Sequence, residues 1–421
     1  MMIALPCLCL ITQLLGCLLL EANAFVIGNS IRSDRDGSNT RLFATAASGP
    51  STTTSSRNSR PRDLDQLKLI CSDVDGALIH YPKSSDNATG GNKKKDNDSN
   101  TILALPPSAT GMKGIISSQT LQQCRDLRQE GVKLVLVSGM RTSTLLNRLP
   151  YLPRADAYAT EAGGRIFYPT TTADDPDHSW TPLEFTGALP DDLVPFGLVE
   201  DETWRERISN AAGKDGYAGN EVSSDRLCDE EDDDAECLID YDNPYGFPKQ
   251  QDIIPIQQRK GALWDFARQL QDDFEMVLDT KSYSTCFRVN RKHQLQNDDG
   301  QDTFQALLQG DIPLPPQLAI STNLGCIDVY PVSSGKRNCC QYLADSLNLK
   351  LARESVCICD DDNDIEMALA CAHAYIPALT SESVVQCIHD NPHKLTQTFQ
   401  QGLVEETLAT EAALQMIQES L

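Results

Sequence analysis

Four short stretches of the chain place carboxylates, a hydroxyl and an amine where apolar segments end or where a helix begins. In chain order they contain Asp73 and Asp75 in "SDVDGAL", Ser138 and Gly139 in "SGMR", Lys336 in "SSGKRNCC", and Asp360, Asn363 and Asp364 in "CDDDND". Ligands of an open parallel sheet bind beyond the carboxyl ends of its strands, so side chains that follow successive strands are expected to meet there. The sequence therefore predicts one site built from all four stretches.

The carboxylates of this predicted site would repel one another strongly in a pocket of low dielectric. Such a cluster implies a bound divalent cation. The donors are oxygens, and no cysteine pair has the CxxC spacing of a zinc site. Magnesium, Mg2+, is therefore the expected metal.

Phosphoryl transfer is a chemistry that these residue types can perform together. One carboxylate can attack phosphorus and form an aspartyl-phosphate, and a second, two residues later, can exchange protons with the leaving oxygen and the attacking water. Alternate side chains of a regular strand point to opposite faces, so the chain must leave strand geometry after Asp73, and Gly76 makes that turn easy. Ser138 and Lys336 would hold the phosphoryl oxygens.

The elements that must position these residues follow an alternating pattern. Apolar runs at residues 67–71, 132–137 and 355–359 alternate with helical stretches such as "SSQTLQQCRDLRQEG". In that stretch Ser117 or Ser118 is expected to cap the helix and Gly131 to end it. The pattern predicts an α/β fold with a parallel sheet that is covered on both faces.

At 421 residues the chain exceeds the roughly 250–300 residues that one core serves, so two domains are expected. Residues 62–165 and 325–421 are predicted to form a Rossmann-like core, and residues 166–324 an inserted α+β cap domain with strands such as "RIFYP" and "CFRVN". A low-complexity insertion at about residues 83–100 is predicted to be disordered. An acidic segment at about residues 223–242 is predicted to be a solvated loop.

Net charge limits the classes of partner. The formal net charge is −24, which argues against nucleic-acid binding, because that function needs a concentrated basic surface. A small phosphate ester stays compatible with this charge, because a few local donors are enough to hold it. The expected partner is therefore a small molecule.

The first 61 residues have the composition of a targeting sequence. Residues 1–24 carry an apolar run followed by "ANAF", the layout of a secretory signal peptide, with a membrane anchor as the alternative. Residues 25–61 are rich in Ser, Thr and Arg, as plastid transit peptides are. Together they resemble a bipartite presequence, which predicts import into a plastid and no stable membrane anchor in the mature chain. Plain secretion is the alternative.

In order and spacing, the four stretches resemble the four motifs of the haloacid-dehalogenase (HAD) superfamily of phosphatases. The long insertion after the second motif, and "TEAGGRIFYP" just after that motif, resemble the subclass IIB-like group with a large α/β cap, which includes sucrose-phosphatase-like and other sugar-phosphate phosphatases. The resemblance covers residues 65–170 and 318–405 well. The sequence differs from the family's usual pattern at Ala77 and Cys359, where altered packing is expected.

The resemblance implies a role for each site residue. Asp73 would be the nucleophile and Asp75 the general acid and base. Ser138, Gly139 and Lys336 would bind phosphate. The Mg2+ ligands would be Asp73, Asp75 through its carbonyl, Asp360 and Asp364, with Asn363 in support.

The resemblance thus implies a magnesium-dependent phosphatase acting on a small phosphorylated metabolite, with a sugar phosphate as the expected class. Two alternatives stay open. One is a phosphomutase of the same fold, and the other is a non-catalytic binding or regulatory protein that shares the fold.

Overall fold

The computed structural model describes eight parts of the chain, namely residues 66–81, 102–105, 114–169, 198–213, 255–294, 302–323, 325–398 and 406–421. All of them lie in one compact unit, Ser59–Leu421. The predicted presequence segments 1–24 and 25–61, the predicted insertion at 83–100 and the predicted acidic loop at 223–242 lie outside the described residues.

Eight strands form the main sheet, in the order β14-β13-β12-β1-β4-β5-β6-β7. Their bounds are β1 Leu69–Ser72, β4 Lys133–Val137, β5 Ala157–Thr160, β6 Arg165–Pro169, β7 Leu198–Glu200, β12 Ser355–Ile358, β13 His373–Ile376 and β14 Leu395–Gln397. The six strands from β14 to β5 are parallel, whereas β6 and β7 pair antiparallel.

Both faces of the parallel part are buried, which explains why its strands are almost continuously apolar. The helices of the structure are α1 Ser118–Gln129, α2 Thr142–Arg148, α3 Glu202–Ala212, α4 Ala262–Phe274, α5 Arg291–Gln294, α6 Thr303–Gln309, α7 Lys336–Ser346, α8 Leu351–Glu354, α9 Ile365–Ala370, α10 Glu382–Asp390 and α11 Glu406–Gln418. Side chains of α1 and α11 cover the face that carries Ile70 and Leu136. Side chains of α7, α9 and α10 cover the opposite face, which carries Cys71 and Val137.

Local signals fixed the ends of α1 as predicted. Ser117 is the N-cap, and its hydroxyl accepts a hydrogen bond from the Thr120 amide at 2.9 Å. Gly131 follows the helix with φ +91°, a conformation that glycine adopts without strain. The cap and the glycine therefore place the start of β4 directly after the helix.

A second, four-stranded antiparallel sheet has the order β10-β11-β9-β8. Its strands are β8 Leu278–Asp279, β9 Phe287–Asn290, β10 Leu318–Asn323 and β11 Cys326–Pro331. Together with α4 and α6 it packs into an α+β layer that is inserted between β7 and α7. The predicted fold class, an α/β Rossmann-like sheet with an inserted α+β domain, is confirmed.

The strand pairing differs from expectation at "RIFYP". This segment is β6, which pairs with β5 in the main sheet through a tight turn at Glu161 and Ala162, and β7 extends the same edge. A four-residue connection favours antiparallel pairing with the preceding strand over transfer to another sheet. The predicted domain limits, 166–324 for the insertion and 325–421 for the second part of the core, stay predictions.

The remaining pair of strands is β2 Ile102–Ala104 and β3 Ile115–Ser117, which form a two-stranded antiparallel sheet. Within the described ranges, none of the helices has both the length and the apolar character needed to cross a bilayer.

Candidate active site

The ends of three neighbouring strands bring the predicted site residues to one edge of the main sheet. Ser72, the last residue of β1, is in register with Leu136 of β4 and Ile358 of β12. The Asp73 amide donates to the Ile358 carbonyl at 2.9 Å. Asp73, Ser138 and Asp360 therefore leave the sheet side by side, as the topology rule predicted.

The chain turns directly after Asp73, in agreement with the expectation from the spacing of the two aspartates. Gly76 has φ +89°, and its amide donates to the Ile79 carbonyl at 2.6 Å. A Cβ atom at Gly76 would overlap the Asp360 carboxylate. The loop after β1 therefore packs against the fourth motif so closely that only glycine fits.

Lys336 supplies a buried positive charge. It is the first residue of α7, and its Nζ lies 2.7 Å from Asp364 Oδ1 and 3.0 Å from Asp73 Oδ1. Burial by itself lowers the pKa of Lys336, but Asp364 and Asp73 outweigh that effect and raise the pKa above its usual value. The ammonium therefore stays charged between two carboxylates.

Asp73, Asp360 and Asp364 form a buried acidic triad. Each offers an oxygen atom, and these atoms all lie within 4.8 Å of one another. Burial raises the pKa of Asp73 despite Lys336, and it raises the pKa of Asp360 with contributions from Asp73 and Asp364. Burial also raises the pKa of Asp364, against the effect of Lys336. One ammonium does not neutralise three carboxylates at this position.

A short 3-10 helix, Asp362–Asp364, orients the fourth motif. Asp361 caps this helix, with its Oδ1 accepting from the Asp362 amide at 2.9 Å. Thr380 Oγ1 donates to the Asp360 carbonyl at 2.5 Å and to Asp361 Oδ1 at 3.0 Å. The backbone that carries Asp360 and Asp364 is thereby fixed independently of any ligand.

The residues of the triad fit a magnesium ion. Asp360 Oδ1 is buried and has no hydrogen-bond partner among the described residues, and the same holds for both amide atoms of Asn363. Buried polar atoms are rarely left unpaired, and a cation beside the triad would pair the carboxylate oxygen and offset the charge. Asp73, Asp360 and Asp364 would hold the ion. That the Asp75 carbonyl is a further ligand stays a prediction.

The Ser138–Gly139 loop lies directly under the second sheet. Ser138 is buried, and its Oγ accepts from the Met140 amide at 3.2 Å, which leaves its hydroxyl hydrogen for a ligand. A Cβ at Gly139 would lie 2.5 Å from Asn323 Nδ2. It would lie 3.4 Å from Asp328 Oδ2 and 3.5 Å from Arg288 Nη2. The inserted layer therefore places polar side chains beside the predicted phosphate loop.

Asp75 does not belong to the acidic triad. Its Oδ1 lies 2.6 Å from Arg148 Nη1 and also accepts from the Tyr81 hydroxyl. Sequence reasoning missed both partners. Arg148 is the last residue of a helix, and no spacing signal distinguished it from an ordinary surface arginine.

Two further residues that link the inserted layer to the core were not assigned this role from sequence. Glu161 is fully buried, and its Oε2 accepts hydrogen bonds from the amides of Ser284 and Thr285 at 2.8 and 2.7 Å. Arg141 Nε donates to the Lys281 carbonyl at 2.8 Å, and its guanidinium pairs with Asp279. Arg141 therefore ties the loop after β4 to the inserted layer.

The two departures from the family pattern are both core positions. Ala77 is fully buried, and its carbonyl accepts from Thr410 Oγ1 at 2.6 Å. Cys359 is buried and lines a small apolar cavity that also borders Asp360.

No protein-family model and no curated protein matches the sequence. Solved structures do resemble the chain, and phosphatases of the HAD superfamily are among them. One is the sucrose-phosphatase from Synechocystis sp. PCC6803 in complex with sucrose and phosphate (14% identity, 83% of this chain, 98% of that chain, TM-score 0.40). Another is a HAD-superfamily phosphatase from Bacteroides thetaiotaomicron (13% identity, 87% of this chain, 99% of that chain, TM-score 0.42).

A third is a HAD subclass IIB sugar phosphatase (13% identity, 76% of this chain, 91% of that chain, TM-score 0.35). These are the proteins that the four motifs predicted the chain to resemble. The three TM-scores are 0.42 or lower, so the function of this chain has to be inferred from its own site.

Proposed function

We propose that this protein is a magnesium-dependent phosphatase that acts on a small phosphorylated metabolite through an aspartyl-phosphate. The observation that carries the proposal is the buried group at the strand ends. There Asp73 lies beside Lys336, Asp360 and Asp364, and the Ser138 hydroxyl follows the neighbouring strand. A nucleophilic carboxylate, a fixed cation and an oxygen-rich metal site are what this reaction needs.

The residues of the chain divide the reaction between them. An Asp73 carboxylate oxygen forms a bond to phosphorus as the ester P–O bond breaks, and the leaving oxygen takes a proton from Asp75. A water molecule then attacks phosphorus and gives a proton to Asp75, while the bond between phosphorus and the Asp73 oxygen breaks. Inorganic phosphate is released and the Asp73 carboxylate is restored. Lys336 and Ser138 stabilise the negative charge on the phosphoryl oxygens. When bound, magnesium supplies further neutralisation of the negative charge on carboxylate and phosphate.

A sugar phosphate is the substrate class that we propose. Arg288, Asp328 and Asn323 of the second sheet lie beside Gly139, where they offer both donors and an acceptor. Arg288 and Asp328 pair at 2.6 Å, so the group carries little net charge. Such a surface suits a neutral, hydroxyl-rich leaving group.

The test is phosphate release from a panel of sugar phosphates, with magnesium and with EDTA, by the wild type and by Asp73→Asn. We expect turnover that needs magnesium and that falls by at least about a thousandfold in the variant. Turnover without a bisphosphate activator would separate a phosphatase from a phosphomutase. A folded wild type that binds magnesium and hydrolyses no member of the panel would contradict the proposal and favour a binding protein.

We also propose that the protein acts in a plastid. The proposal rests on the composition of residues 1–24 and 25–61 alone. Fusing residues 1–61 to a fluorescent protein, in an alga with plastids of secondary origin, tests it. Fluorescence in the plastid is expected, and fluorescence in the medium would favour secretion.

A further inference from the structure

The contacts of Asp75 are concentrated on one of its two carboxylate oxygens. Oδ1 lies 2.6 Å from Arg148 Nη1 and accepts from the Tyr81 hydroxyl. Arg148 Nη2 in turn donates to the Tyr81 hydroxyl oxygen at 2.7 Å. The three side chains form a closed triangle in which Oδ1 receives two donors.

The buried Arg148 side chain depends on the other two members of this triangle for its partners. The Arg148 side chain is 3% exposed, whereas that of Asp75 is 21% exposed. Burying a guanidinium is unfavourable unless it has partners, so Asp75 and Tyr81 hold Arg148 in place. The arginine lies inside the protein, and the carboxylate keeps one side open.

Both donors keep their protons. Burial by itself lowers the pKa of Arg148, but Asp75 and Tyr81 outweigh it and raise the pKa. Burial and the charge of Asp75 raise the pKa of the Tyr81 hydroxyl. The Arg148 guanidinium and the Tyr81 hydroxyl therefore both face Oδ1 as hydrogen-bond donors.

The triangle also connects two of the predicted motifs. Tyr81 follows the loop that carries Asp73 and Asp75, and Arg148 ends α2, the helix that begins four residues after Ser138. The carboxylate of Asp75 is thus fixed from the segment that follows Asp73 and from the helix that follows the Ser138–Gly139 loop.

We propose that Arg148 and Tyr81 are positioning residues that hold Asp75 by Oδ1 and leave Oδ2 as the oxygen that exchanges the proton with the leaving group. The inference rests on the proposed phosphatase function and adds two residues to it. As the ester P–O bond breaks, the proton moves from Oδ2 to the leaving oxygen, and Arg148 and Tyr81 stay bound to Oδ1. Neither of them contacts the reacting atoms.

The inference has a kinetic signature that depends on the leaving group. A sugar or alkyl alkoxide is a poor leaving group and needs the proton from Asp75, whereas 4-nitrophenolate is a stable anion and needs little protonation. General acid catalysis contributes about 10²–10⁴-fold, so loss of its positioning affects the first kind of substrate far more than the second.

The experiment compares kcat/KM for the sugar phosphate that the wild type hydrolyses best with kcat/KM for 4-nitrophenyl phosphate. This constant reports the first phosphoryl transfer and leaves out the later hydrolysis of the aspartyl-phosphate, which is the same for both substrates. The variants are Tyr81→Phe, Arg148→Gln and Arg148→Lys. We expect Tyr81→Phe and Arg148→Gln to lower kcat/KM for the sugar phosphate at least about tenfold and kcat/KM for 4-nitrophenyl phosphate less than about threefold. Arg148→Lys is expected to restore part of the loss, because an ammonium can still donate to Oδ1.

Matched controls separate positioning from general damage. Tyr375→Phe removes a buried hydroxyl that has no partner among the described residues. Arg128→Gln removes a partly buried ion pair, in which Arg128 Nε lies 3.2 Å from Asp156 Oδ2. This pair lies near Lys133 at the start of β4, whereas Ser138 follows the end of that strand. Neither control is expected to change the ratio of the two kcat/KM values. Where Arg148→Gln fails to fold, Tyr81→Phe supplies the result, because it removes a single oxygen atom.

The outcomes distinguish the inference from the function on which it rests. An active wild type that Asp73→Asn inactivates, with equal losses on both substrates in the Tyr81 and Arg148 variants, would overturn the positioning role alone. Unchanged kcat/KM values in those variants would overturn it as well. A wild type that hydrolyses neither substrate would overturn the phosphatase proposal and the positioning role with it.

Discussion

Three carboxylates and one ammonium share a buried space at the strand ends. Asp73, Asp360, Asp364 and Lys336 are each 5% exposed or less. Uncompensated charges in such a position destabilise a fold by several kcal/mol, and proteins accept them mainly at functional sites. At the scale of single residues, the excess of negative charge is therefore the strongest sign of a cation site.

Asp360→Asn tests this sign through stability. Because the pKa of Asp360 is raised in the folded state, its protonated form stabilises the fold, and that contribution is lost as pH rises through the raised pKa. In EDTA at pH 8 the variant is therefore expected to be more stable than the wild type, by on the order of 1 kcal/mol. At pH 4 the difference is expected to shrink.

With magnesium the wild type is expected to be more stable than Asp360→Asn. A ligand at a hundred times its Kd stabilises the folded state by about 2.7 kcal/mol, and the variant should lose most of that gain. Thermal unfolding with and without magnesium measures both effects, and Asp273→Asn, at an exposed position on α4, is the control. Equal magnesium stabilisation of wild type and Asp360→Asn would rule out Asp360 as a ligand.

At the scale of elements, the loop after β1 decides whether the site forms. It must turn within three residues so that Asp73 and Asp75 leave the strand on usable sides, and it must also pack against the segment after β12. Gly76 meets both demands, with φ +89° and no side chain beside Asp360.

Gly76→Ala is expected to damage both stability and the site. Gly131→Ala is the matched control, because Gly131 has φ +91° and nothing lies within 4 Å of a Cβ there. The control reports the backbone strain alone, about 1–2 kcal/mol. Gly76→Ala should lose at least about 2 kcal/mol more in urea unfolding, and magnesium binding as well, because Asp360 is displaced. Equal losses for the two variants would show that the contact with Asp360 does not constrain the loop.

At the scale of the whole molecule, the inserted layer is fastened to the sheet edge at several points. Glu161 holds the amides of Ser284 and Thr285, and Arg141 holds the Lys281 carbonyl. Thr322 Oγ1 donates to Asp362 Oδ2 at 2.9 Å. These contacts keep the polar side chains of the second sheet beside the Ser138–Gly139 loop.

Glu161→Gln is expected to loosen this attachment. The Glu161 carboxylate accepts at both oxygens, from the amides of Ser284 and Thr285 and from Thr142 Oγ1. An amide in its place loses the negative charge and keeps one acceptor, so its NH2 group must face one of these donors. Loss of these charge-assisted bonds should lower the free energy of unfolding by about 2–4 kcal/mol. Hydrogen exchange should speed up in residues 280–290, while residues 133–137 of β4 change much less.

Glu130→Gln, at an exposed position after α1, is the control for the loss of charge. An exchange rate in residues 280–290 that matches the control would show that Glu161 does not hold the inserted layer.

The sequence by itself determined the class of fold and which strand ends meet at one edge of the sheet. Apolar runs that end in Asp73, Ser138 and Asp360 imply a common sheet edge, because parallel strands present their carboxyl ends on the same side. The N-cap at Ser117 and the turn at Gly76 were also predictable, because both depend on local backbone chemistry.

Only the tertiary structure decided which distant residues complete the site. Arg148, Tyr81 and Glu161 reach their partners across 73, 6 and 123 positions of the chain, and only the fold brings the distant pairs together. The transfer of "RIFYP" to the main sheet also depended on a pairing choice that strand propensity does not encode. Local patterns thus specified which side chains reach the sheet edge, whereas long-range packing specified how those side chains are held.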